Sequence, residues 1–107
     1  MSEEWTIACE FASVAANDVV RFDATDATFA VVKLNDGRCS VIDGLCTHGK
    51  AHLADGFVDG ETIECPKHNG RFNVLTGEPV ASPVRVAAKV YETRVNGDKI
   101  EFKITSG

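Results

Sequence analysis

Two short runs constrain this chain most: Cys46-Thr47-His48 and, after sixteen intervening residues, Cys65-Pro66-Lys67-His68. Each offers one thiolate and one imidazole, so together they supply a Cys₂His₂ set. For the four side chains to act on one metal centre, the chain must bring two separate loops to the same place. Any fold compatible with this sequence therefore has to present Cys46, His48, Cys65 and His68 on converging loops.

Two kinds of centre use these donors. Zinc takes Cys₂His₂ in tetrahedral structural sites, usually with like paired to like in C-x₂₋₄-C and H-x₃₋₅-H spacings. A 2Fe-2S cluster with two His replacing two Cys on one iron takes the same set. Here each run mixes one sulfur and one nitrogen donor, which suits a two-iron cluster: with Cys46 and Cys65 on one iron and His48 and His68 on the other, each loop spans both metals. The zinc-stabilised binding module is the alternative.

The flanking residues add to this reading. Residues 46–56, CTHGKAHLADG, and 65–77, CPKHNGRFNVLTG, resemble the two cluster-binding loops of Rieske-type 2Fe-2S ferredoxins, in particular the ferredoxin components of bacterial aromatic-ring-hydroxylating dioxygenase systems. The resemblance lies in C-T-H-G, A-D-G, C-P-x-H-x-G-x-F and a closing T-G. It extends more weakly to the opening Trp5 segment, the Pro79 to Pro83 loop and the last strand pair.

It implies an all-β Rieske-type antiparallel β-sandwich with a small cluster-binding β subdomain. Residues 1–107 would form a single Rieske domain with cluster-binding loops at about 44–56 and 65–77. The cofactor would be one Rieske-type 2Fe-2S cluster on Cys46, His48, Cys65 and His68. The implied function is to carry single electrons from an NAD(P)H-dependent flavin reductase, a flavin-dependent ferredoxin reductase, to a terminal Rieske oxygenase that hydroxylates an aromatic ring. A small Rieske-like subunit of a nitrite-reductase-type enzyme is a further alternative.

The bulk properties agree with a carrier. At 107 residues the chain has room for one core, and no apolar run approaches the ~20 residues that span a bilayer. The start, MSEEWTIACE, lacks the basic and apolar parts of a secretory signal, so a cytoplasmic protein with no membrane partner is expected. The formal charge is -5. An oxidised cluster leaves that unchanged, because the positive charge of its iron-sulfide core cancels that of two thiolates. An acidic chain without a basic stripe is a poor nucleic-acid binder.

Two imidazoles in place of two thiolates make the cluster easier to reduce, which places Rieske potentials at roughly -150 to +300 mV. High-potential members have an extra cysteine in each loop, in patterns resembling C-T-H-x-x-C and C-P-C-H. Ala51 and Lys67 stand at those positions. No bridging disulfide can form there, and a potential near the low end is expected. His48 and His68 would form the docking tip, with Lys50, Lys67, Asn69 and the Pro79–Pro83 loop beside it.

Cys9 and Cys39 lie in the apolar contexts TIAC and CSVI and read as small buried hydrophobes. His52 reads as an exposed polar residue outside the ligand set. With two histidines committed, one remains, too few for the 2-His-1-carboxylate iron site of an oxygenase. No catalytic residue is therefore assigned.

Strand signals dominate. Strands are predicted at Trp5–Cys9, Val19–Asp23, Thr28–Leu34, Cys39–Asp43, Thr62–Cys65, Arg71–Asn73, Ala88–Val95 and Lys99–Ile104. Turns are predicted at Asn35-Asp36-Gly37, Asp59-Gly60, Thr76-Gly77 and Asn96-Gly97. The expected arrangement is an all-β meander, with Gly49 and Gly70 just beyond the two histidines as turn or close-approach glycines.

Overall fold

The run Phe29-Ala30-Val31-Val32 has no polar face, and its surroundings explain why. Phe29 and Val31 pack with Val41, Tyr91, Ile100 and Phe102, whereas Ala30 and Val32 pack with Ile42, Ile63, Phe72 and Val74. Alternate residues of a strand point to opposite sides, so this strand lies between two cores. A layer covered on both faces selects a continuous apolar run.

The computed structural model describes residues 5–47, 51–67, 70–81 and 86–104. In chain order its strands are β1 (Thr6–Glu10), β2 (Asp18–Asp23), β3 (Thr28–Lys33), β4 (Cys39–Asp43), β5 (Phe57–Asp59), β6 (Thr62–Glu64), β7 (Arg71–Asn73), β8 (Pro79–Ala81), β9 (Val90–Tyr91), β10 (Thr93–Asn96) and β11 (Lys99–Phe102). Short 3₁₀ turns cover Phe11–Ser13 and Leu53–Asp55.

Three antiparallel sheets result, with strand orders β1-β11-β10, β2-β3-β4-β9 and β5-β6-β7-β8. The second supplies the middle layer. On one side β11 contributes Ile100 and Phe102, and the Phe29 ring meets those of Phe102 and Tyr91 edge-on at 4.8 and 5.2 Å. On the other, β6 and β7 contribute Ile63 and Phe72. Burying each large side chain contributes about 1.5–3 kcal/mol.

The all-β architecture is as expected, but a plain meander accounts for only part of it. The last sheet is a meander and β2-β3-β4 follow one another, yet β1 pairs with β11 from the other end of the chain. The predicted Ala88–Val95 strand is two strands in different sheets. Val90 and Tyr91 pair with Ile42 and Val41, and Thr93–Asn96 pairs with β11. At the corner, the Thr93 hydroxyl donates to the Tyr91 carbonyl at 2.8 Å and accepts the Val41 N–H at 3.1 Å. A side chain thus takes over the ladder where the backbone changes sheets.

Strands β5 and β8 were not expected. Each has three residues, and β8 begins with Pro79 at a sheet edge, where the missing N–H costs no ladder bond. The four predicted turn glycines, Gly37, Gly60, Gly77 and Gly97, all adopt positive φ. Among the described residues no helix is long and apolar enough to cross a membrane.

Candidate metal centre

The two sequence motifs occupy matching places. Leu45 and His52 form an isolated antiparallel bridge on either side of the first motif. The Cys46 N–H donates to the Ala51 carbonyl at 2.9 Å. In the second motif Glu64 pairs with Arg71, and the Cys65 N–H donates to the Gly70 carbonyl at 2.7 Å. Each loop thus begins with its cysteine, has the same length and closes with the same main-chain bond.

The loops arise from different sheets. The first leaves β4 of the middle layer through Gly44 and Leu45, and the second joins β6 to β7. Only the second is a tip of the small sheet, whereas the first stands on the middle layer. Both cysteines nevertheless reach one place. Cys46 and Cys65 are 6% and 1% exposed and share a core with Leu53, Ile63 and Phe72. His48 and His68 lie outside the described residues, as do Gly49, Lys50 and Asn69.

A third segment meets the first loop. The Thr47 hydroxyl donates to the Val86 carbonyl at 2.7 Å. The expected Pro79–Pro83 loop is strand β8 over Pro79–Ala81, while Ser82 and Pro83 lie outside the described residues.

Two thiolates in an apolar core are costly as isolated anions. The positive core of a 2Fe-2S centre offsets that charge, and two cysteines leave the remaining positions to imidazoles. The donor chemistry of this pair therefore fits such a cluster. The family model described as the Rieske [2Fe-2S] domain matches residues 4–92. The chain belongs to the Rieske [2Fe-2S] family.

Its relatives narrow the type. This Rieske protein is 35% identical over 105 residues to the ferredoxin component of the naphthalene 1,2-dioxygenase system of Pseudomonas aeruginosa, covering 98% of this chain and 100% of the relative. The solved structure of the Sphingomonas yanoikuyae B1 ferredoxin superposes with a TM-score of 0.88 at 35% identity, over 94% of this chain and 98% of that one. A chain in the complex of reduced oxygenase and oxidized ferredoxin in carbazole 1,9a-dioxygenase also gives 0.88, at 33% identity over 95% and 94% of the two chains. The protein is a Rieske ferredoxin of the kind found in aromatic-ring dioxygenase systems, an electron carrier with a [2Fe-2S] cluster.

In this Rieske ferredoxin His52 departs from expectation. It is buried, 6% exposed, rather than a surface residue. Its Nδ1 accepts the Ala54 N–H at 3.0 Å, capping the Leu53–Asp55 turn, and its Nε2 stands 2.8 Å from Thr28 Oγ1. Burial, with the nearby Arg21 charge, holds the imidazole below its ordinary pKa, while Asp55 and Asp23 pull the other way. Sequence reasoning missed it because histidine is outside the usual Ser, Thr, Asp and Asn capping set. The available signal was its place immediately before Leu53-Ala54-Asp55.

Cys9 and Cys39 are half-buried and pack against the core between β11 and the middle layer. Burial pushes the Cys39 thiol pKa up. Both behave as packing residues.

Proposed function

We propose that residues 1–107 act as one Rieske domain in which loops 44–56 and 65–77 hold the cluster through Cys46, His48, Cys65 and His68. In this reading the protein takes single electrons from an NAD(P)H-dependent flavin reductase and delivers them to a terminal aromatic-ring-hydroxylating oxygenase, in the cytoplasm. The observation that carries the assignment is the pair of equal six-residue loops, each headed by a buried cysteine. The naphthalene dioxygenase ferredoxin relative and the carbazole dioxygenase complex support the choice of system.

When bound, the cluster supplies a one-electron acceptor and donor. The chain contributes the surroundings. Leu53, Ile63 and Phe72 keep water from the two cysteines. On the outside, Leu45 and Val86 are 59% and 63% exposed, and Thr47, bonded to Val86, lies between Leu45 and His48 in sequence. Exposed apolar side chains beside the first loop, with exposed Lys67 on the second, suit a small and transient redox interface below ~1,200 Å². Partner choice then rests on this rim, because charges there act mainly on association.

The test is anaerobic purification followed by iron and sulfide analysis, EPR, and reconstitution with candidate reductases and oxygenases. Two irons and two labile sulfides per chain, with NADH-driven electron flow to an oxygenase, are expected. Stoichiometric zinc without sulfide, or a loaded protein that no oxygenase oxidises, would overturn the respective half of the reading.

A further inference from the structure

We propose that His52 is a positioning residue of the cluster site: through Thr28 and Asp23 it seats the first loop on the middle sheet, and the midpoint potential depends on that seat. The proposal rests on the reading that Cys46 and His48 are ligands.

The bonds have a fixed direction. A backbone N–H can only donate, so the bond from Ala54 leaves Nδ1 as the acceptor and places the proton of the neutral ring on Nε2. Nε2 therefore donates to Thr28 Oγ1 at 2.8 Å. The Thr28 hydroxyl has one hydrogen and gives it to the Asp23 carboxylate at 2.5 Å. A backbone donor at one end and a carboxylate acceptor at the other leave the chain one polarity.

The seat is also shaped for the ring. A Cβ on Gly44 would stand 2.4 Å from His52 Nε2 and 2.6 Å from Cε1. The missing side chain of Gly44 is the space that the imidazole fills. Gly44 in turn donates its N–H to the Thr28 carbonyl at 3.0 Å and accepts the Leu53 N–H at 2.6 Å. Gly44-Leu45 and His52-Leu53 are the two stems of the first loop, so both stems are registered against Thr28 on β3.

The second loop is held differently. Its stem is the Glu64–Arg71 pair, joined by an ion pair at 3.0 Å with Arg71 37% exposed. That loop keeps its place through its own ladder, whereas the first must be located relative to the second across two sheets. A buried imidazole is an expensive way to fill space, because its polar atoms need partners. An aliphatic residue would pack there without that requirement. The directional link to β3 is what the imidazole adds, and outer groups that orient ligand-bearing segments tune both retention and potential.

The test compares Thr28→Val, which keeps the shape and removes the hydroxyl, with Thr28→Ser, which keeps the hydroxyl, and with His52→Asn. Redox titration, iron release to a chelator and thermal midpoint are measured on anaerobically loaded protein. Thr28→Val and His52→Asn are expected to shift the midpoint potential and to speed iron release about tenfold, and Thr28→Ser to restore both. Wild-type potential and release in Thr28→Val, whatever its thermal midpoint, would overturn the proposal, as would equal defects in Thr28→Ser and Thr28→Val. If Thr28→Val does not fold, His52→Asn against Thr28→Ser makes the same comparison. A fully loaded Cys46→Ser variant would instead defeat the ligand reading.

Discussion

The Thr47 hydroxyl donates to the carbonyl oxygen of Val86 at 2.7 Å, fastening the first loop to the chain beyond β8. Thr47→Val keeps the shape and removes the bond. The site is exposed, so water can replace the lost partner, and the expected loss is about 0.5–1 kcal/mol. Denaturation of loaded protein followed by visible absorption should show this loss with an unchanged spectrum. A loss above about 3 kcal/mol would mean that Thr47 supports more than this bond.

The four cysteines should divide into two classes. Cys46→Ser or Cys65→Ser, like His68→Ala, is expected to abolish or cripple the cluster. Cys9→Ser and Cys39→Ser should retain its spectrum, because these half-buried thiols pack against a different core. Their cost is stability, on the order of 1 kcal/mol. Loss of the cluster in a folded Cys39→Ser protein would contradict the ligand assignment.

Two turn glycines should respond very differently to alanine. Gly77 has φ +81, and a Cβ there would stand 1.9 Å from the Ala88 carbonyl oxygen, a backbone atom. Gly60 has φ +60 with nothing within 4 Å. Gly60→Ala should cost about 1 kcal/mol for the left-handed backbone alone. Gly77→Ala adds a clash that only main-chain movement can relieve and should cost several-fold more. Chemical denaturation of both variants decides this, and equal losses would count against the clash.

The glycine pattern was legible because positive-φ turns have a local signature, and Asp59-Gly60 and Asn96-Gly97 mark hairpins before any partner strand is known. The convergence of the two cysteine loops was legible for a similar reason: donor residue types and their spacing reside in a few consecutive residues, and Cys46 and Cys65 share one core. The pairing of β1 with β11 was not, because it joins strands from opposite ends of the chain and no short-range pattern encodes it. Nor was the burial of His52. Its partner Thr28, and the Asp23 carboxylate that Thr28 in turn bonds, lie more than twenty residues earlier, and the room for its ring is the absence of a side chain at Gly44.

That burial has a pH signature. The His52 pKa is lowered in the folded protein, first by burial. As pH falls through the ordinary value near 6.5, the unfolded chain takes up a proton that the folded chain resists. Stability should therefore be steady above about pH 7, decline as pH drops from there, and level off once the folded imidazole is protonated. Urea unfolding of apoprotein at pH 7.5 and 5 should show a larger loss for wild type than for His52→Asn. Equal pH dependence would remove His52 from this account.

The midpoint potential should lie near the bottom of the Rieske range, roughly -150 mV. Ala51 packs against the core that holds both cysteines, and Lys67 is exposed. Neither can form the loop-bridging disulfide of high-potential relatives, so nothing covalent joins the loops beside the cluster. Lys67 works in the opposite direction, because a positive charge favours the reduced state. Its ammonium reaches solvent, however, where screening over about 8–10 Å at ordinary ionic strength weakens the effect. A redox titration at neutral pH is decisive. A midpoint above about +100 mV, in the upper half of the family range, would show that the missing disulfide is not what sets the potential.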